Sequence, residues 1–228
     1  KSENIVIKSN DTNQDYFVFI KYRNFWFQSN KYGYMNSKGE VVISPYFEYA
    51  EDFVDGMAKV KTNNGYGIID KSGRYILQPI YSGCKLLGNG LISYKAYKWK
   101  LKDKEGKEVG DLEFDDIMKF SEGLAAVKIN NKWGFINTDG ELVIEPIYDF
   151  AANFENSLCA VQLNDRWGLI DIYGNEIVEP SFQDRLWVAD DYILVEGNNG
   201  KWGYLNNRGE QVIDYKFEKA HSFGEGLA

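Results

Sequence analysis

Histidine, cysteine and proline are scarce in this chain: one, two and four of them in 228 residues. The lone His221, beside Ser222, leaves a hydrolytic triad or a His-rich metal site without its usual parts. Adjacent side chains on a strand point to opposite faces, so that pair has no shared chemistry. Cys84 and Cys159 fall at different places in the pattern described below and show no CxxC spacing, which argues against a disulfide framework or a zinc site. No GxGxxG, P-loop or GxSxG stands in the chain. Apolar runs stay short of the ~18–20 residues of a membrane-spanning helix and no signal-type apolar segment is present, so membrane insertion is not expected. Sustained 3.6-residue apolar periodicity is missing too, which predicts few helices. Positive charge is the smaller share: 26 Lys and Arg against 34 Asp and Glu give a formal charge of −8. That balance argues against nucleic acid, which needs clustered cations, and against anionic membrane surfaces.

What the chain does have is a repeat. An aromatic residue followed by a turn recurs at Tyr32, Tyr66, Trp99, Trp133, Trp167 and Trp202, at intervals of 34, 33, 34, 34 and 35 residues. Asn36, Asp70, Asp103, Asn137, Asp171 and Asn206 each stand three residues before a glycine, at 39, 73, 106, 140, 174 and 209. Asn or Asp accepts backbone hydrogen bonds at the start of a type I turn, and Gly supplies the positive φ that closes a short hairpin loop. A hairpin is therefore expected in every unit, and turn chemistry accounts for these Asp residues without a metal. Pro follows at 45, 79, 146 and 180, replaced by Leu112 and Tyr215 in the third and sixth units. Two residues on, an aromatic recurs without exception: Phe47, Tyr81, Phe114, Tyr148, Phe182 and Phe217. Each unit then reaches a small turn and an apolar strand, as in EGLAAVK (122–128).

The units begin near 31, 65, 98, 132, 166 and 201, with 1–30 as a cap or partial repeat, all within one repeat domain over 1–228. EGLA (225–228) matches EGLA (122–125) and stops in mid-unit, which fits a fragment of a longer array or a last unit completed by the first strands. A first residue of Lys rather than Met implies a mature or trimmed chain. Few cysteines suit an exported protein as well as a cytosolic one, and the reading leans to the cell envelope or secretion.

Candidate binding residues come from the repeat and from its exceptions. Glu48, Asp115, Asp149, Gln183 and Glu218, with Ser82 in the second unit, directly follow the recurring aromatic. Aligned on one surface, they would form an acidic ridge for a cationic ligand or divalent ion; as structure, they cap backbone N–H groups or face water. The repeated rings are read as packing between units, because Gly follows the aromatic at 33, 67, 134, 168 and 203, leaving room for a close backbone or ring approach. Trp26 and Trp187 lie outside the register and are better placed for surface contact.

The combination in KWGFINTDGELVIEPIYD (132–149), with RWGLID (166–171) and KWGYLN (201–206), resembles the bacterial WG, or KWG, repeat family. The resemblance covers roughly 23–228; the third unit departs most, with Trp99-Lys100 and no Pro. It implies a β-rich tandem array used for binding or scaffolding, with no catalytic residues to carry over. The fold expected is all-β, built of antiparallel meander repeats of ~34 residues, as a propeller-like ring or, alternatively, an open superhelical array. The expected function is a non-catalytic scaffold for a protein or glycan partner, without cofactor or metal. The alternative is a hydrolase using two carboxylates in a groove across the repeats.

Overall fold

The computed structural model describes residues 5–7, 16–21, 31–189 and 191–222. The chain divides into two compact halves, Lys1–Val109 and Gly110–Ala228. Among the described residues every regular element is a strand, antiparallel to its neighbours, and no helix is long and apolar enough to cross a membrane. The fold is all-β, of antiparallel meanders in a propeller-like repeat architecture.

In the N-terminal half the first sheet is β1 (Ile5–Ile7), β2 (Tyr16–Lys21), β3 (Lys31–Asn36) and β4 (Val41–Phe47). The second is β5 (Tyr49–Ala50), β6 (Met57–Thr62), β7 (Gly65–Asp70) and β8 (Tyr75–Tyr81). The third has three strands, β9 (Gly83–Gly88), β10 (Leu91–Lys95) and β11 (Trp99–Lys102). In the C-terminal half come β12 (Asp116–Ile117), β13 (Leu124–Ile129), β14 (Lys132–Asn137) and β15 (Leu142–Tyr148), then β16 (Phe150–Ala151), β17 (Leu158–Leu163), β18 (Arg166–Asp171) and β19 (Glu176–Phe182). The last sheet is β20 (Trp187–Ala189), β21 (Tyr192–Glu196), β22 (Trp202–Asn206) and β23 (Gln211–Phe217). Within each half the sheets follow chain order without crossover. Residues 5–21, considered above as partners for the last unit, pair instead with β3 and so complete the first sheet; the EGLA segment at 225–228 and residues 23–30 lie outside the described residues.

Asn or Asp followed three residues later by Gly makes the same turn in every unit. Asn137 Oδ1 accepts from the N–H groups of Asp139 (3.0 Å) and Glu141 (2.9 Å), and Gly140 takes φ +77°. Asp70 and Asp171 hold their turns in the same way and are acidic for it: burial works against the charge, but the donors around each carboxylate keep its pKa below the usual value.

After the turn the returning strand does not pair evenly. Trp133 faces Tyr148 and Phe135 faces Ile144, so Gly134 alone opposes the bulge Glu145–Pro146–Ile147. A Cβ on Gly134 would press into the Ile144 carbonyl oxygen and come 2.7 Å from the Pro146 nitrogen. Gly33, Gly67 and Gly168 sit beneath Pro45, Pro79 and Pro180 in the same way. Proline suits the bulge because a residue out of the ladder needs no N–H. Gly203 keeps the bulge although Tyr215 replaces Pro. The third unit has Lys100 in place of this glycine and Leu112 in place of Pro, and its sheet lacks the fourth strand. Glycine, not proline, is thus the requirement.

The pairing pushes each unit's aromatic outward against the next sheet. In the C-terminal half Trp133, 6% exposed, meets Phe150 of the following sheet (ring centroids 6.2 Å), and Phe150 meets Trp167 (5.6 Å, edge to face). One core runs through all three sheets of that half, with Phe135, Phe154, Cys159, Val161, Leu169 and Val195 in it. In the N-terminal half Tyr32 meets Tyr49 (6.2 Å) at the same kind of joint. Two smaller clusters bury Tyr34, Phe47 and Val60 between the first and second sheets, and Ile68, Leu77 and Ile92 between the second and third.

Gly134→Ala should cost about 2–3 kcal/mol of unfolding free energy, since the added Cβ strikes backbone on the paired strand. Pro146→Ala should cost less than about 1 kcal/mol, through chain entropy alone. Denaturant midpoints check both, and equal losses would contradict the glycine-centred account.

Candidate functional site

The acidic ridge is placed by the register just described. With Trp133 opposite Tyr148 and Trp202 opposite Phe217, the residue before each Trp faces the residue after its partner. Lys132 Nζ therefore bonds Asp149, and Lys201 Nζ lies 2.9 Å from Glu218. Asp149 also accepts the Asn164 N–H (2.8 Å) from the β17–β18 turn, and these two donors hold its carboxyl below the ordinary range. Asp115 and Gln183 are exposed, and the Asp115 N–H donates to the Lys128 carbonyl (2.7 Å). Ser82 Oγ donates to the Lys95 carbonyl. Glu48, whose N–H bonds the Lys61 carbonyl, is the member of the set that faces a cavity.

Trp187 is 48% exposed on β20, with the Arg185 guanidinium 4.9 Å from its ring centre. Trp26 lies outside the described residues. His221 is exposed, and its carbonyl accepts the Tyr204 hydroxyl. Cys84 and Cys159 are free and buried, and burial pushes both thiols up to about 12. Among the described residues no three His, Cys, Asp or Glu side chains gather as a metal site would need.

The cavity, of about 550 Å³, is lined by Glu48, Tyr49, Lys59, Lys61 and Tyr66. It lies on the second sheet, where Tyr49, Lys61 and Tyr66 form a row across β5, β6 and β7. Lys59, two residues along on β6, stands where the other sheets carry Val18, Ser93, Ala126, Ala160 and Leu194, all buried. Its backbone partner Glu51 stands where Met118 and Ala152 occur. Thus the joint that Phe150, Ala152, Ala160 and Trp167 fill with apolar side chains is rebuilt here from Tyr49, Glu51, Lys59 and Tyr66. The Lys59 ammonium bonds Glu51 (2.5 Å) and lies 5.8 and 5.7 Å from the ring centres of Tyr49 and Tyr66. Burial opposes its charge, yet the hydrogen bond and charge of Glu51 keep its pKa above the ordinary lysine value. The Tyr49 hydroxyl also donates to Glu51 (3.1 Å), and burial together with that carboxylate raises its pKa. Lys61 covers the Tyr66 ring at 5.6 Å. Ring spacing alone does not reveal this site; its signal is the substitution of Lys59 where sister units keep small apolar residues.

The profile of the WG-containing repeat matches five segments, 32–66, 66–95, 101–133, 133–167 and 202–228, which make up more than half of the chain. The chain belongs to the WG-repeat family. Between the last two segments of this WG-repeat protein lies the unit whose interval to the next aromatic is 35 residues, longer than the others. No curated protein matches the sequence. Among solved structures, BamB from Moraxella catarrhalis is similar at 13% identity and TM-score 0.46, over 89% of this chain and 70% of that one. A eukaryotic initiation factor is similar at 14% identity and TM-score 0.51, over 82% of this chain and 60% of that one. Hsv2 from Kluyveromyces lactis follows at 10% identity and TM-score 0.42, over 69% and 58%. At such identities the likeness concerns the fold alone.

Acid should loosen the WG repeats through their carboxylates. Asp70, Asp149 and Asp171 have folded pKa values below the unfolded ones, so their contribution is complete above the ordinary carboxylate pKa of about 3.9 and drains away as pH falls through the lowered values. Melting temperature measured from pH 7 down to pH 2 should fall along this acid limb, and Asp171→Asn should make the fall shallower; an unchanged slope would contradict the assignment.

Proposed function

We propose that this chain is a non-catalytic binding module of a WG-repeat protein, presenting a face of its repeats to a protein or glycan partner. The observation that carries the reading is the division of labour between constant and variable positions. Asx-turns, bulge glycines and joint aromatics are consumed in holding the strands and sheets. Chemistry that the architecture does not need, the Glu51–Lys59 pair between two tyrosines, collects at one cavity. A buried ion pair is weak evidence for stability, since apolar replacements of similar volume are often neutral or better, so its presence favours a role in recognition. The solved structures of similar fold add the architecture and nothing about a ligand.

A hydrolase would need two carboxylates flanking one bond, roughly 5–9.5 Å apart according to mechanism. Asp149 and Glu218 are each engaged by a lysine of their own hairpin, and Glu51 is engaged by Lys59. These pairings support binding over turnover.

The purified chain, presented to a glycan array and used as bait in a pull-down, should retain a saturable partner and leave every bound glycan intact. Release of cleaved sugar, with no stable complex in either format, would overturn the reading.

A further inference from the structure

We infer that the cavity on the second sheet is a subsite for an acidic sugar, a pyranose ring bearing a carboxylate. The inference rests on the binding-module reading and names the ligand class for it. Three features of the lining lead to it. Two tyrosine rings, Tyr49 and Tyr66, flank the space and offer amphipathic surfaces for the C–H face of a sugar. Glu48 supplies an acceptor for hydroxyl groups, while Lys59 and Lys61 supply donors. The lining holds two ammonium groups against one carboxylate, because Glu51 stands behind Lys59 and is occupied by it and by the Tyr49 hydroxyl. A carboxylate on the ligand balances that excess, in a chain whose formal charge of −8 otherwise repels anions.

Size points the same way. A recess of about 550 Å³ falls within the range of roughly 300–1,000 Å³ typical of small-molecule sites. A protein partner would need a broad, well-packed face instead. The charge is also durable: Glu51 holds Lys59 protonated, so the site keeps its cation at and above neutral pH. The departure is local as well. Gln162 replaces Lys61, and Ala160 replaces Lys59, in the β16–β19 sheet, where Phe150 and Trp167 close on each other.

The sister sheets supply substitutions compatible with folding. Calorimetric titration of the whole chain with oligogalacturonate, and with a neutral galacto-oligosaccharide of equal length, tests the assignment; Lys59→Ala, Lys61→Gln and Glu51→Ala/Lys59→Ala are titrated beside it. Saturable binding of the acidic probe is expected, weakening as salt is raised, with at least tenfold weaker binding of the neutral one. Each variant should bind the acidic probe at least tenfold more weakly while its melting temperature stays level or rises, since Ala occurs naturally at both positions of the pair in the β16–β19 sheet. Galacturonate itself, as the monosaccharide, distinguishes a single-ring site from one that needs a chain. Unchanged binding by Lys59→Ala, or no binding of either acidic probe, overturns the inference. So does neutral binding as tight as acidic, or a melting temperature that falls in Lys59→Ala with binding intact. A protein captured in the pull-down with no sugar bound would also overturn it and leave the binding-module reading standing; cleavage of the probe without retention would remove both.

Discussion

Contact between aromatic rings of successive sheets is the interaction on which this structure depends. A four-stranded sheet with one apolar face does not stand alone; it must bury that face against a neighbour. Trp133 reaches Phe150, and Phe150 reaches Trp167, so one ring on a two-residue strand joins two sheets. Because that strand, β16, directly follows β15 in the chain, the residue that begins one sheet is already anchored to the sheet before it. The short strands β5, β12 and β16 look marginal by themselves, and covalent continuity combined with such joints explains why two residues suffice.

Those joints need the bulge, and the bulge needs glycine. Three residues of the outer strand crowd over one residue of the inner strand, which realigns the Trp–aromatic pair at the end of the hairpin. The third unit is the natural control: with Lys100 in place of glycine the outer strand is lost, and Trp99 lies instead over Gly83, whose added Cβ would be 3.3 Å from the ring. The aromatic still finds a partner there, by a different route. Lys85 covers the other aspect of that indole at 4.5 Å, so even the irregular unit buries its ring.

Much of this was legible in the sequence. The turns follow from Asn or Asp and Gly three residues on, because their hydrogen bonding is local; the strands flanking them follow from β-branched and aromatic runs. The rings could be assigned to packing because glycine accompanied them, although the backbone that presses on Gly134 belongs to its own hairpin and not to the next unit. The pairing of Lys132 with Asp149 was within reach too, since hairpin register sets those two residues opposite each other, but it needed the bulge to be counted. Lys59 was not legible: a lysine in an alternating strand reads as solvent-facing, and only its alignment with Ala126 and Ala160 shows that it occupies an interior position. An array of this kind acquires a polar cavity by changing a few side chains at one joint, while the strands and sheets around it keep their residues.

A double-mutant cycle between Trp133 and Phe150 tests the central claim most directly, with unfolding free energies measured for the wild type, Trp133→Leu, Phe150→Leu and the double variant. If ring contact holds adjoining sheets together, the two changes should be coupled by about 0.5–1.5 kcal/mol beyond the loss of buried area. Strict additivity, with no coupling outside experimental error, would contradict the account.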